Sequence, residues 1–326
     1  MDKFSQLNLI GSSHSFLQVL KQIQKIAKVD VSAFVMGETG TGKELAVRAI
    51  HYLGQRHEKP FVPVNCGALP ETLIESELFG HERGAFTDAK APYRGLIAEA
   101  EGGTLFLDEI DSLGPKAQSA LLRFLQDGSY RRVGASVQRH ADVRIIVASN
   151  VKMETLLESR TFRRDLLYRL NILTLHIPPL RQRGQDAAEL AHVFLDRLRH
   201  QYRMPDKQLH PDAMQFIASH PWPGNVRELE NMLHREFLMS DDEYVRLGPP
   251  QHGIPEVVPV APGSGLPVAL KVAKAEAIAR FEQNYVRELL ERANGNLTHA
   301  AQMAGQDRSA FGKLVRKHRL SHDKSS

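Results

Sequence analysis

Apolar residues in the first 180 positions fall into short unbroken runs that are separated by longer amphipathic stretches. The runs that we interpret as strands are "VSAFVM", "KPFVPVNC", "GGTLFLDEI", "VRIIVASN" and "ILTLHIPPL". Brief, continuous apolar runs are typical of strands buried on both faces of a sheet. The stretches between them, such as "SHSFLQVLKQIQKIA" and "GPKAQSALLRFLQDG", have the spacing of amphipathic helices. The alternation predicts an α/β fold, with a parallel sheet and helices on both faces.

The pattern becomes entirely helical after the last of these strands. Between about 184 and 245, "DAAELAHVFLDRLRHQY", "HPDAMQFIASH" and "NVRELENMLHREFL" each show helical periodicity. Residues 248–267 contain six prolines and four glycines, which indicates a semi-stiff linker. We therefore predict an α/β subdomain at 1–180, a small helical subdomain at 181–247, a linker at 248–267 and an all-α domain at 268–326.

The segment after the linker predicts three helices. A long amphipathic helix covers "VAKAEAIARFEQNYVRELLERANG" and ends at Gly295. "LTHAAQMAG" and "DRSAFGKLVRKHRL" predict a short helix, a tight turn around Gly305–Asp307 and a basic helix, which is a helix-turn-helix layout. An ordinary basic helical hairpin is the alternative. The apolar stripe of the long helix consists of Ile278, Phe281, Tyr285, Val286, Leu289 and Leu290.

Charge supports a nucleic-acid-binding role for this last segment. Residues 1–251 carry 31 basic and 31 acidic side chains, whereas residues 266–326 carry 11 basic and 6 acidic ones. A solvated helical face would give the same excess, so charge alone leaves both interpretations open.

The remaining composition bounds the class of protein. The chain has 326 residues, enough for two or three domains, and a single cysteine, Cys66, which excludes an internal disulfide. No apolar run approaches the roughly 20 residues that a membrane span needs, and the N-terminus lacks the features of a signal peptide. We expect a cytoplasmic protein that makes no membrane contact.

A glycine-rich turn joins the first predicted strand to the helix "ELAVRAIHYL". A turn in this context is typical of a phosphate-binding loop, whose backbone N–H groups and helix N-terminus face an anion. Lys43 would reach the β- and γ-phosphates, and Glu44 stands where Ser or Thr usually binds Mg²⁺. A loop that has lost nucleotide binding is the alternative. The predicted ATP-binding residues are Gly37, Glu38, Thr39, Gly40, Thr41, Gly42, Lys43 and Glu44.

Polar side chains end three further predicted strands. Asp108 and Glu109 follow a buried strand, at the end of the sheet where open α/β folds bind ligands. Asp108 suits Mg²⁺ coordination, and Glu109 suits polarising an attacking water. Asn65 and Asn150 end two other strands. The acids could instead open a helix and the asparagines could be caps, but four such strand ends beside one crevice favour a catalytic centre.

Motifs in a fixed order link the chain to a known family. Between about 11 and 240 it contains "GETGTGKE", "NC", "ESELFGHERGAFTDA", "GGTLFLDEI", "FRRDLLYRLN", "IPPLRQR" and "WPGNVRELEN". In this order they resemble the bacterial enhancer-binding proteins, AAA+ activators of sigma-54 RNA polymerase. The resemblance implies an AAA+ P-loop ATPase with a helical lid that uses ATP and Mg²⁺. It also implies a homo-oligomer, a hexamer when active and a dimer when inactive. In this family a Glu after the P-loop Lys is usual.

The resemblance implies roles for individual residues. Asn65 looks like the switch residue that relays the state of Glu109. Asn150 looks like the sensor of the γ-phosphate, and Arg227 looks like a second sensor, carried on the lid. Trp222 and Pro223 are expected to shape the core of the lid.

Arg163 and Arg169 resemble arginine fingers. A planar guanidinium that reaches the ATP of a neighbouring subunit would stabilise transition-state charge. Surface ion pairing is the alternative, and it is the interpretation that we prefer for Arg164.

The tail resembles the Fis-type DNA-binding domain, which dimerises through its long first helix. Basic side chains and a hydroxyl on the last helix would then face the major groove or the flanking phosphates of enhancer DNA. Gly312 lies within that helix, where it costs about 1 kcal/mol relative to Ala. Close approach to DNA would explain it. The predicted DNA contacts are Arg308, Ser309, Lys313 and Arg316.

One loop matches the family's GAFTGA motif, whose tip contacts sigma-54, except that Asp88 replaces a Gly. We expect Phe86 to be exposed there. Gly takes positive φ freely and Asp does so at some cost, so Asp88 either alters the mobility of the loop or impairs sigma-54 contact. We favour altered mobility with contact kept. The predicted sigma-54 contacts are Gly84, Ala85, Phe86, Thr87, Asp88 and Ala89.

These features predict an ATP-driven sigma-54 activator that remodels the closed polymerase–promoter complex. The first alternative is a DNA-binding regulator of the same fold that no longer engages sigma-54, and the second is another AAA+ machine such as a helicase loader. The homology begins close to Met1, which leaves no room for a receiver or ligand-sensing domain, so we expect a regulator that acts in trans or control by protein level. A truncated chain would look the same.

Overall fold

The computed structural model describes residues 3–158, 161–248 and 296–317, together with 282, 285–287, 289, 290 and 293. Contacts divide the chain into two compact units, Met1–Gln251 and His252–Ser326. The predicted linker beyond residue 248, most of the long tail helix with Ile278 and Phe281, and its end at Gly295 lie outside the described residues. Within the described ranges, no helix is long and apolar enough to cross a membrane.

A five-stranded parallel sheet forms the centre of the first unit, and across it the strands lie in the order 61–65, 104–108, 144–149, 33–36 and 173–176. The prediction of a parallel α/β sheet is confirmed, and each of the five apolar runs contributes one strand. The strands of this sheet are β1 Ala33–Met36, β2 Phe61–Asn65, β3 Thr104–Asp108, β6 Arg144–Ser149 and β7 Leu173–His176. A separate antiparallel hairpin, β4 Ser129–Tyr130 and β5 Arg139–His140, lies between β3 and β6 along the chain.

Helices cover both faces of this sheet. Phe34 and Met36 point into one apolar core, whereas Ala33 and Val35 point into the other, as the alternation of side chains along a strand requires. The helices of this part are α1 Lys3–Gln6, α2 His14–Ala27, α3 Lys43–Tyr52, α4 Glu71–Phe79, α5 Leu96–Glu99, α6 Pro115–Asp127, α7 Met153–Glu158 and α8 Arg164–Leu170.

The helical subdomain follows β7. Trp222 is buried at its centre and donates its Nε1–H to the carbonyl of Ile217, so its expected place in the core is confirmed. Pro223 is exposed, and the expectation that it shapes the core is wrong because it lies in the turn before the next helix. The elements are α9 Asp186–Tyr202, α10 Pro211–Ser219 and α11 Asn225–Met239, with β8 Gln208–Leu209 paired to β9 Tyr244–Val245.

The second unit contains the two predicted short helices, α12 Leu297–Met303 and α13 Arg308–Lys317. Gly305, at φ 66°, makes the turn between them, and the Asp307 carboxylate caps α13 by accepting from the N–H groups of Ser309 and Ala310. Phe311 is buried in a core with Val286 and Leu289 from the stripe that the sequence predicts. Tyr285 of the same stripe is 42% exposed.

A buried ion pair connects the N-terminal segment to the helical subdomain. Asp186 is fully buried and accepts from Arg183 Nε at 2.9 Å, from the backbone N–H groups of Ser12 and Ser13, and from the Ser13 hydroxyl. The Arg183 guanidinium lies 3.7 Å from the centroid of the Phe16 ring. The Asp186 carboxylate thus accepts four hydrogen bonds from the protein, and such compensation is the condition under which a buried ion pair is tolerated.

We predict that Asp186→Ala lowers the free energy of unfolding by about 3–5 kcal/mol, because Arg183 is then buried without its counter-charge. Urea denaturation followed by circular dichroism measures the change. Asp196→Ala is the matched control, since Asp196 pairs with Arg199 in an exposed position and such pairs contribute roughly 0–1 kcal/mol. Equal effects of the two changes would contradict the importance of the buried pair.

Candidate functional site

The polar ends of the parallel strands meet at one edge of the sheet. Asn65 at the end of β2 stands beside Asp108 at the end of β3, and Met36 of β1 stands beside Ser149 of β6. Asn150 follows Ser149 directly. The sheet therefore brings the predicted strand-end residues to the same edge as the glycine-rich turn that leaves β1, as the sequence predicts for a doubly wound fold.

The glycine-rich turn has the backbone of a phosphate-binding loop. Gly40 and Gly42 adopt φ values of 79° and 95°, a region that favours glycine. The Thr41 hydroxyl donates to the carbonyl of Glu38 at 2.8 Å and closes the turn. Lys43, the first residue of α3, donates its Nζ protons to the carbonyls of Gly37 at 2.9 Å and Glu38 at 3.3 Å. The lysine thus lies along the loop, where it reinforces the positive end of the helix.

Burial and charge act in opposite directions on Lys43. Desolvation lowers the pKa of its ammonium group, and the carboxylates of Asp108 and Glu109 oppose that shift. A cation facing two carboxylates across a small cavity is the arrangement that a bound polyanion with a divalent metal would complement.

Asp108 and Glu109 lie side by side beyond β3. Glu109 has φ 53°, and its backbone N–H donates to Asp108 Oδ1 at 3.0 Å. A β-carbon at Gly67 would come within 2.1 Å of Glu109 Oε2, so the absence of a side chain there leaves room for the carboxylate. Glu109 precedes a short 3-10 turn at Ile110–Ser112 but makes no side-chain cap bond to it. Its carboxylate is therefore not occupied by capping, the alternative that the sequence left open.

Asn65 is held as a cap. Its Oδ1 accepts from the backbone N–H groups of Gly67 at 2.8 Å and Ala68 at 3.1 Å. This matches the capping alternative, while its register beside Asp108 keeps it at the edge of the cavity. The neighbouring Cys66 is buried, and desolvation, followed by the charge of Asp108, raises the pKa of its thiol to about 12.

Asn150 contacts the glycine-rich turn directly. Its Nδ2 donates to the Thr39 hydroxyl at 3.2 Å. Ser149, one residue earlier, donates its hydroxyl to Asp111 Oδ1 at 2.5 Å and accepts from the N–H of Val151. The end of β6 is thereby fixed on both sides, with Asn150 aimed at the turn.

The helical subdomain closes the other side of the cavity. The backbone N–H groups of Val226 and Arg227 donate to the carbonyl of Gly40, at 3.0 and 3.3 Å. A β-carbon at Gly40 would lie 2.2 Å from the carbonyl oxygen of Gly224, so only glycine permits this approach. The cavity has a volume of about 330 Å³ and is lined by Thr39, Gly40, Gly42, Lys43, Glu44, Leu45, Asn65, Asp108, Glu109, Val226, Arg227 and Glu230.

A second link between the turn and the helical subdomain was missed by sequence reasoning. Both Glu38 carboxylate oxygens accept from the Arg181 guanidinium, at 2.7 and 2.5 Å, and Oε2 also accepts from Asn225 Nδ2 at 3.2 Å. The hydrogen bond from Arg181 lowers the pKa of the Glu38 carboxyl to about 2. The available signal was Glu38 itself, because an acid inside a phosphate-binding loop needs a nearby cation.

Arg163 and Arg169 lie away from the cavity of their own chain. Arg163 bonds the Asp165 carboxylate at 2.7 Å and the Ser119 hydroxyl at 3.2 Å, and Arg169 donates to the carbonyl of Leu125. In a single copy, then, Arg163 makes the surface ion pair that the sequence allowed as an alternative.

The GAFTDA loop, residues 84–89, lies between α4 and α5 along the chain. Its ends are joined where the Gly84 N–H donates to the Ala89 carbonyl at 2.8 Å. The Phe86 ring packs edge to face against the imidazole of His81, with 5.0 Å between centroids. Phe86 is consequently half-buried, and the expectation that it is exposed is wrong because His81 at the base of the loop covers one face of the ring.

The backbone of Asp88 carries no strain in this conformation. Among the described residues, the non-glycine positions at positive φ are Asn8, Glu109, Arg203, Trp222 and Asn225. Asp88 is exposed and lies outside that region, whereas Gly84 adopts φ 79°. A glycine is therefore not needed at position 88 for the loop to take this shape.

A neighbouring hairpin supports the loop. Residues 131–138 join β4 to β5, and a β-carbon at Gly134 would lie 3.0 Å from the Ala85 β-carbon. Arg132 bonds Glu82 at 3.0 Å, just before the loop. Sequence reasoning missed this contact, since only the folded sheet brings the two segments together.

The predicted DNA-contacting residues lie on α13. Arg308, Ser309, Lys313 and Arg316 are all exposed, on one short helix. Gly312 is buried, and a β-carbon there would lie 3.7 Å from Leu297 Cδ2. Gly312 therefore faces α12, where the β-carbon of an alanine would make an ordinary van der Waals contact.

Comparison with known proteins agrees with this geometry. A family model described as the sigma-54 interaction domain matches residues 9–176, and a model described as the AAA+ ATPase lid domain matches residues 181–249. The chain is 40% identical to the phenol regulator MopR of Acinetobacter guillouiae over 96% of its own length and 57% of MopR. It is 39% identical to the transcriptional regulatory protein GlrR of Escherichia coli, over 96% of this chain and 68% of GlrR.

A solved structure adds agreement in three dimensions. NtrX from Brucella abortus, in complex with ADP, is similar with a TM-score of 0.72 and 31% identity, covering 96% of this chain and 69% of NtrX. The chain spans 57–60% of the length of several curated relatives that it matches.

The glycine-rich turn, the acids beyond β3 and the docked helical lid occur together in a chain that the two family models match at residues 9–176 and 181–249. MopR and GlrR match 96% of its length. This chain belongs to the sigma-54 interaction domain family, the AAA+ ATPases of the bacterial enhancer-binding proteins.

Proposed function

We propose that this protein hydrolyses ATP in an oligomeric ring and uses the cycle to activate transcription by sigma-54 RNA polymerase. The observation that carries the proposal is the cavity in which Lys43, Asp108, Glu109 and Arg227 meet, because it combines a phosphate seat, two acids and a cation from the lid. Membership of the family links such a cavity to sigma-54.

ATP binding rests on the glycine-rich turn and the N-terminus of α3. Backbone N–H groups of residues 37–44 and the Lys43 ammonium would bind the phosphates, and the Asn150 amide next to Thr39 would sense the γ-phosphate. The structures of NtrX in complex with ADP and with ATP support a nucleotide in the corresponding fold.

The residues of the cavity also fit Mg²⁺. Proteins bind this ion through one or two carboxylates together with substrate phosphates and water, and Asp108 offers one carboxylate at the cavity wall. Bound there, Mg²⁺ would neutralise charge that develops on the phosphates.

Each polar residue of the site has its own role in the proposed hydrolysis. Glu109 would polarise the attacking water, and Asn65, one strand away, would relay the state of Glu109. Arg227 would sense the nucleotide from the lid. Arg163 and Arg169 lie outside the cavity of their own chain, which favours delivery to the site of a neighbouring copy and supports a ring, as in a hexamer.

The remaining assignments concern partners. Residues 84–89 would contact sigma-54, with Phe86 leaving His81 when it does so, and the exposed side chains of α13 would bind enhancer DNA. The cytoplasm, where polymerase and promoter DNA reside, is the expected location. A regulator that keeps the DNA-binding and ATPase parts but no longer engages sigma-54 is the second candidate. It is favoured by Asp88, whose negative charge stands beside the contact residues.

We predict that Lys43→Ala and Glu109→Gln both abolish ATP hydrolysis but differ in nucleotide binding. Loss of Lys43 removes a phosphate ligand and weakens ADP binding by at least tenfold. Loss of the Glu109 carboxylate removes only the group that activates water, so turnover falls by about 10²–10⁴-fold with binding kept. A coupled phosphate-release assay and fluorescent-ADP titration measure the two properties.

Glu58→Gln, an acid far from the cavity and highly exposed, is the control and should behave like wild type. Full hydrolysis by Glu109→Gln would overturn the catalytic assignment.

We predict that the fingers act across subunits. The Arg169→Ala protein keeps the Lys43 side chain but lacks an arginine finger. The Lys43→Ala protein keeps its fingers but lacks a phosphate ligand. Each variant alone should therefore be inactive. Mixing the two allows Lys43→Ala subunits to donate Arg169 to intact seats, and ATPase activity should return to a fraction of the wild-type rate that follows the mixing ratio. Failure of every mixture to regain activity would indicate that the arginine acts within its own chain.

We predict that wild-type protein activates sigma-54 transcription despite Asp88, since the loop backbone is unstrained at that position. Asp88→Gly should alter the yield of transcript per ATP hydrolysed by less than about threefold, whereas Phe86→Ala should abolish it. Single-round transcription from a sigma-54 promoter, normalised to the ATPase rate of each preparation, measures both. An inert wild type with an active Asp88→Gly variant would establish the second candidate instead.

A further inference from the structure

The glycine-rich turn contains a carboxylate whose position is unusual for a phosphate seat. Glu38 is the second residue of the turn, where a negative charge would repel a polyanion. Its side chain is 42% exposed and points toward the lid, where the Arg181 guanidinium meets both of its oxygens. The paired geometry neutralises the carboxylate and ties the turn to the first residues beyond β7.

Asn225 supplies a second tie, and each part of its amide is used. The Oδ1 atom accepts from the Leu180 N–H at 2.8 Å. The Nδ2 group donates to Glu38 Oε2 at 3.2 Å and to the Thr39 carbonyl at 3.0 Å. The residue is fully buried and adopts φ 54°, which asparagine tolerates better than most side chains. Its chemistry therefore matches a junction that needs an acceptor, two donors and a left-handed backbone.

The junction stands two residues before Arg227. Asn225 begins α11, and the next two N–H groups, those of Val226 and Arg227, donate to the Gly40 carbonyl. Fixing Asn225 against Glu38 consequently fixes the start of α11 against the turn, and with it the backbone from which the Arg227 side chain enters the cavity.

We propose that Glu38, Arg181 and Asn225 form a latch that positions Arg227 over the nucleotide seat and couples the lid to the state of the glycine-rich turn. None of the three makes the chemical step; each is a positioning residue. The inference rests on the proposed function, because Arg227 acts on the bound nucleotide.

A residue that works through another loses its effect when the second is removed. Arg181→Gln and Asn225→Asp are each made alone and in an Arg227→Ala background. Each single change should lower kcat for ATP hydrolysis by about tenfold, a coupling of ordinary size, and lower it by less than twofold once Arg227 is absent. If Arg181→Gln or Asn225→Asp still lowers kcat by about tenfold in the Arg227→Ala background, the latch is disproved.

Asn225→Asp tests the polarity of the junction without changing its shape. The new carboxylate keeps the bond to the Leu180 N–H but faces Glu38 with like charge. The same change turns the second amide contact into an oxygen facing the Thr39 carbonyl, so both donor contacts of Asn225 are lost while its acceptor contact is kept. A kcat equal to that of the wild type would contradict the proposal. Arg235→Gln, which breaks the exposed Arg235–Glu236 pair on α11, is the matched control and should leave kcat unchanged.

Hydrogen exchange of the Val226 and Arg227 amides separates this proposal from the proposed function. Wild-type protein should protect both amides without nucleotide, and Arg181→Gln should raise their exchange rates about tenfold, whereas Arg235→Gln should not. A wild type that hydrolyses no ATP but shows this protection pattern would disprove the function and retain the latch. Unchanged exchange in Arg181→Gln would disprove the latch whatever the ATPase activity.

Discussion

The proposed nucleotide site depends on the contact between the Gly40 carbonyl and the start of α11. Two backbone N–H groups of the lid converge on this one oxygen, and no side chain at position 40 would leave room for them. Three parts of the site lie far apart in the chain: the glycine-rich turn, the acids beyond β3, and Arg227 on the lid. The Gly40 contact brings Arg227 to the other two. Glu38 and Asn225 surround the contact with charge and hydrogen bonds, so that the lid meets the turn in one orientation.

The parallel sheet sets the other side of the site. Because all its strands run the same way, Asn65, Asp108 and Ser149 end at one edge, beside the turn that leaves β1. The same edge leads to the GAFTDA loop through α4, whose last turn precedes Gly80 and His81. His81 exchanges backbone hydrogen bonds with Tyr93, and Val133 bonds both Gly80 and Glu82, so the loop rises from a base clamped by the hairpin.

Sequence alone predicted the strands, the large helices and the strand-end residues, because buried parallel strands and phosphate-binding turns carry strong local signals. What it missed depends on contacts between distant segments. Arg181 and Asn225 are 143 and 187 residues from Glu38, and their residue types are compatible with any surface or turn. Phe86 is half-buried because the His81 imidazole packs against it, and no periodic pattern in the sequence predicts that contact. The position of Gly312 against Leu297 likewise depends on a second helix.

The most direct test of an ATP-driven sigma-54 activator is promoter melting in vitro. The purified chain is incubated with sigma-54 RNA polymerase at a sigma-54 promoter, at a protein concentration high enough that no upstream DNA site is required. Permanganate reactivity of unpaired thymines measures opening. Opening with ATP, and none with a nonhydrolysable analogue or with Glu109→Gln, is the predicted result. Opening with the analogue, or closed DNA in the presence of ATP, would contradict the account.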